Sequence, residues 1–129
     1  MNTLTIPPRV IPRVRDGAFA GLRNCAEGID QAGRDLGEHE RVRRRLRATW
    51  RLLDAIGWSS TDPPVVGMEI DVCEHGGALL AALEPMLTLL GGWLGEIPAG
   101  DPRLPARRAE LEAVREIVAQ TRREAGGQR

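Results

Sequence analysis

Apolar residues recur at three- and four-residue steps along most of this chain, the signature of amphipathic helices. Val14, Ala18, Leu22, Cys25, Ile29, Ala32 and Leu36 form a narrow, heptad-like seam for packing on another helix. That helix is predicted to start near Arg13. Gly17, Gly21 and Gly28 weaken it intrinsically, so it depends on tertiary contact. Val42, Leu46, Trp50, Leu53 and Ile56 make a second stripe, offset by roughly a quarter turn if both are projected on one helix. The offset predicts a break. Gly33 suits a left-handed helix end, and Asp35 with Glu38 has capping-box spacing. A turn at 33–35 gives an antiparallel hairpin; one long kinked helix is the alternative.

The stretch from Val72 to Leu94 organises the rest. Leu79, Leu80, Leu83, Leu87, Leu90 and Leu94 form one stripe, and the other side carries Gly77, Ala78, Ala81, Ala82 and Leu89 in place of charges. A helix apolar nearly all round reads as buried. Asp71 with Glu74 repeats the capping spacing, Pro85 predicts a kink or restart at 84–85, and Gly91-Gly92 predict fraying. A membrane span over 76–95 has the right length, but Glu84 near the bilayer centre costs roughly 2.5 kcal/mol or more and no arginine cluster flanks either end. A soluble core helix is the expectation.

The connections follow from turn chemistry. Pro7, Pro8 and Pro12 predict an extended arm over 1–12. Gly57 ends the second helix, residues 59–64 (S-S-T-D-P-P) read as loop, and 57–71 cross the bundle. Met68, Ile70 and Val72 alternate with Glu69 and Asp71 as in a strand, but a lone short strand lacks a partner, so 65–70 are read as an extended segment. Asp101 and Pro102 are placed at the start of a last helix that buries Leu104, Leu111, Val114, Ile117 and Val118. A tail follows over 125–129. The fold class is all-α: a three- to four-helix bundle in one domain, with an extended crossing segment before the central apolar helix.

Charge changes the picture because it is uneven. The totals cancel, which argues against a dedicated binder of nucleic acid or anionic membrane. Residues 38–57 carry six Arg against three acids, a net of +3, whereas 58–100 carry six acids and no Arg, a net of −6. Segments of opposite sign are expected to face each other, within the chain or between subunits. Arg43, Arg44, Arg47 and Arg51 lie on the polar side of the second helix. Phosphate could engage such a stripe; the simpler expectation is a solvated face paired with nearby acids.

Chemistry-bearing residues are few. His39 and His75 each stand beside glutamates, but adjacent positions point about 100° apart on a helix, unlike the Glu-x-x-His of di-metal bundles. Glu84, amid leucines, is either a ligand- or proton-binding carboxylate or half of an ion pair with an arginine. Trp50, Trp58 and Trp93 read as core or interface anchors. Cys25 and Cys73 read as reduced thiols serving as small hydrophobes, with a disulfide between them the alternative that geometry decides. No catalytic motif, cofactor fingerprint or zinc spacing is found, so no catalytic residue, metal or cofactor is expected. The start of the chain lacks a secretory pattern, and the cytoplasm is the expected compartment.

The favoured expectation is a non-catalytic interaction or assembly module that binds a protein partner or pairs with itself as a homodimer, with Trp93 and the apolar 86–94 stretch at the contact. A ligand- or metal-binding bundle, or small enzyme, using Glu84 with His75 or His39 comes second. Nucleic-acid binding through the 41–51 arginines comes third.

Overall fold

The computed structural model describes residues 2–57 and 65–126. Its elements are β1 (Thr3–Ile6), α1 (Ile11–Ala32), α2 (Leu36–Ile56), β2 (Met68–Asp71), α3 (Val72–Glu96) and α4 (Leu104–Gly126). The chain is a four-helix bundle with a two-stranded ribbon. The loop read at 59–64, the anchoring role of Trp58 and the tail beyond Gly126 fall outside the described residues.

α1 and α2 form the antiparallel hairpin, not a kinked rod. Gly33 takes φ 60°, and the Asp35 carboxylate accepts the Glu38 N–H at 3.0 Å, so α2 starts afresh. Gly57 closes α2 at φ 75°, a left-handed cap suited to glycine. Arg15 of α1 donates to the Gly57 carbonyl at 3.1 Å and so ties the far end of the hairpin. The buried face of α2 is Val42, Thr49, Leu52, Leu53 and Ile56. Trp50 therefore stands outside the expected stripe and is exposed. Thr49 takes an inner position because its hydroxyl donates to the Arg45 carbonyl at 2.8 Å, leaving no polar group unsatisfied. Leu36, placed in the first seam by periodicity, belongs to α2 and is exposed.

The extended arm and the partnerless crossing segment are both corrected. Thr3–Ile6 pairs antiparallel with Met68–Asp71, Leu4 opposite Ile70 and Ile6 opposite Met68. Leu4, Ile6 and Ile70 face the core while Thr3, Thr5 and Glu69 face water. The two segments lie far apart in sequence, and each alternates polar and apolar residues over only four positions. Such a ribbon is marginal alone and holds here because the helices cover one face. α1 begins at Ile11, with Pro12 in the first turn where its missing N–H costs nothing.

α3 packs against α1, α2 and α4. It runs unbroken through Pro85 and past Gly91-Gly92, so neither the restart nor the fraying occurs. Asp71 caps it by accepting the Cys73 N–H at 2.8 Å. α1 meets α3 at very short range: a Cβ built on Gly17 would lie 2.0 Å from the Ala82 carbonyl oxygen. α4 buries the full expected set, Leu104, Leu111, Val114, Ile117 and Val118. It starts at Leu104, one turn beyond Asp101, whose carboxylate accepts the Arg103 N–H at 2.8 Å.

Candidate functional site

The structure overturns the reading of α3 as buried all round. Val72, His75, Leu79, Ala82, Leu83, Met86 and Leu90 are buried, but the opposite side is open. By length and composition α3 could cross a membrane, with a mean hydropathy of 1.4, yet only 28% of that window is covered by the protein. The stripe left open is Cys73, Gly77, Ala81, Pro85, Thr88, Gly92 and Gly95, all exposed and spaced by fours and threes along the whole helix. The bundle supplies neighbours on one side only. Small side chains on the other side expose little apolar area, so leaving them in water costs little. Absence of charge in the sequence was mistaken for burial.

The open side carries carboxylates and no cation of its own. Glu74, Glu84 and Glu96 are all exposed. Glu84 is not an isolated core carboxylate; it pairs with Arg122 of α4 at 3.2 Å, both side chains about half in water. Leu89 and Trp93 are exposed at 42% and 41%. Trp93 lies beneath the Arg13 guanidinium, 5.7 Å from ring centroid to carbon, a cation–π geometry. Arg13 is bound in turn by Glu110, which also takes Arg107 at 3.2 Å. Trp93, Ile97, Pro98 and Arg107 border a shallow groove of about 320 Å³. Beside it, the Asp101 carboxyl is pulled down to about 2 by its hydrogen bonds from Arg103.

A second groove, of about 360 Å³, opens where α1, α2 and α3 meet, floored by Gly17, Gly21, Ala78 and Ala81 and edged by Asn24 and Arg45. It continues the small-residue side of α3 toward the hairpin.

The expected site residues are not gathered into one place. His39 sits in the first turn of α2 with Nε2 2.7 Å from the Gly33 carbonyl, a link within the α1–α2 turn. His75 is buried in the first turn of α3, its Nε2 3.8 Å from Glu74 and its Nδ1 without a hydrogen-bond partner among the described residues. Nine residues of helix, about 13 Å of rise, separate His75 from Glu84. Among the described residues no three His, Cys, Asp or Glu side chains form a group able to hold a metal ion. Cys25 is buried and Cys73 exposed, and no disulfide joins them.

Arg43, Arg44, Arg47 and Arg51 are all exposed on α2. Arg44 and Arg47 reach Glu40 at 3.4 and 3.1 Å, and Arg41 reaches Glu38 at 3.2 Å. Among the described residues no ion pair joins an α2 arginine to an acid of 65–100. The open stripe and the Gly17–Gly21 floor are what the sequence reading missed. Their signal was present: small residues repeating at helical spacing in both helices. Comparison with family models, curated proteins and solved structures finds no match.

Proposed function

We propose that this chain is a non-catalytic helical assembly module that associates with copies of itself, in the cytoplasm. The observation that carries the reading is the open side of α3, a small-residue stripe along all 25 residues of the helix, with Leu89 and Trp93 exposed toward its end. Small residues on a helix face let another chain approach closely, and exposed aromatic side chains anchor interfaces. A solvated helix of this length ordinarily carries charge on its outer side. Mass in solution tests the reading. Light scattering behind size exclusion, from micromolar to near-millimolar protein, is expected to give a mass above 14.1 kDa that rises with concentration. A mass fixed at the single-chain value across that range refutes it.

A further inference from the structure

We propose that the copies join head to tail, the arginine face of α2 on one copy docking on the open face of α3 on the next. The proposal rests on the self-association just argued and names the two surfaces it uses.

Electrostatics selects this pairing over the symmetric one. The open face of α3 carries Glu74, Glu96 beside the Arg103–Arg107 groove, and Glu84 already paired with Arg122, and residues 65–100 contain no arginine or lysine. Two such faces packed antiparallel about Pro85 would set Glu74 of one copy against Glu96 of the other. Packed in parallel, each glutamate would meet itself. Like charges brought together across an interface are strongly unfavourable. The α2 face has the opposite sign: Arg43, Arg44, Arg47 and Arg51 outnumber Glu40 and Asp54. Arg43 and Arg51 make no ion pair among the described residues, and the Glu40 contacts of Arg44 and Arg47 are exposed ones of small value.

Size agrees with charge. Arginine stems can lie along a floor of Gly77, Ala81, Pro85 and Thr88 while the guanidinium forks reach the glutamates at its edges. Arg43 to Arg51 spans about 12 Å of helix, and Glu74 to Glu84 about 15 Å. The stripe lacks long side chains; the α2 face is made of them. Nucleic acid is the less favoured occupant of that ridge, because acids interrupt it and the chain as a whole is neutral.

A head-to-tail contact leaves one free α2 face and one free α3 face at the ends of every assembly, so growth continues unless the rotation closes a ring. Sedimentation velocity of the full chain is therefore expected to show species beyond the dimer. Raising salt from about 0.05 M to about 0.5 M should raise the half-association concentration about tenfold or more, by screening the contact.

Mixing decides the geometry. One variant carries Arg44→Glu, Arg47→Glu and Arg51→Glu; the other carries Glu74→Arg and Glu84→Arg with Arg122→Glu, which reverses the Glu84–Arg122 pair without leaving either side chain unpartnered. Circular dichroism confirms that both fold. Each alone is expected to be monomeric, since its two faces now share one sign, and an equimolar mixture is expected to associate. Self-association of the native chain that ignores salt, or survives in either variant alone, overturns this docking while leaving self-association standing. A native chain that stays monomeric yet shifts an oligonucleotide with steep salt dependence overturns it in favour of nucleic acid. A strict monomer that binds neither removes the assembly reading as well.

Discussion

Replacing Gly17 with alanine should destabilise this protein although alanine is the better helix former. In an open helix the change gains about 1 kcal/mol. At Gly17 the new Cβ would lie 2.0 Å from the Ala82 carbonyl oxygen and 2.7 Å from its carbonyl carbon, backbone atoms with no rotamer to change. Relief requires α1 and α3 to part by roughly 1 Å, and a gap of that size forfeits a quarter to a half of the dispersion attraction across it. Val14, Ala18, Leu79 and Leu83, all fully buried, share the loss. Overpacking costs of about 1–3 kcal/mol less the propensity gain of about 1 leave about 0–2 kcal/mol, and the loosened contacts bring the net loss to about 1–3 kcal/mol. Gly21, one turn along the same helix, supplies the control: nothing lies within 4 Å of its Cβ position. Gly21→Ala should stabilise by about 0.5–1 kcal/mol. Urea titrations followed by circular dichroism, on both variants and the parent, read the difference. A Gly17→Ala protein as stable as the parent would show that the two helices do not cross at this point.

Three further outcomes are expected. Glu110→Gln removes the carboxylate shared by Arg13 and Arg107, with the Arg13 and Glu110 side chains only 17% and 14% exposed, and should cost about 1–3 kcal/mol while loosening Arg13 from Trp93; unchanged stability and unchanged Trp fluorescence would sink that. Ile6→Ala empties a fully buried position on β1 and should cost about 2–5 kcal/mol, read from the denaturant midpoint; a loss under about 1 kcal/mol would mean the ribbon does not pack on the core. The Asp101 carboxyl, held at about 2 against an ordinary 3.8, contributes stability that is full above the ordinary value and lost as pH falls through about 2. NMR titration of that carboxyl should give a midpoint near 2 that rises only part of the way toward the ordinary value in Arg103→Ala, because the backbone N–H of residue 103 still donates to it.

The parts legible in the sequence are those where one helix face is large and apolar and its opposite is charged. α4 is the clearest case, and every one of its expected inner residues is buried. The break at 33–35 was legible because Gly33 and Asp35 each carry a backbone reason to stop or start a helix. Periodicity places α2 a step out of phase: tryptophan offers far more apolar area than threonine, yet Thr49 is buried with its hydroxyl on the Arg45 carbonyl while Trp50 stays 37% exposed. β1 was illegible because four residues followed by two prolines resemble an arm, and its partner is more than sixty positions away. The candidate site was half legible. Glu84, Trp93 and the α2 arginines were singled out from their neighbours in sequence, but which side of α3 the bundle leaves open depends on where α1, α2 and α4 lie.

The pairing of Thr3 with Asp71 has a kinetic side. During synthesis at roughly 5–20 residues per second, β1 leaves the ribosome about 3–14 s before β2 follows it out. Helices α1 and α2 can close on each other in that interval, but Leu4 and Ile6 have no ladder to join. A nascent chain of this kind passes through a stage in which its first strand is an adhesive end. Crowded translation of many copies is then the circumstance in which misassembly competes most directly with folding.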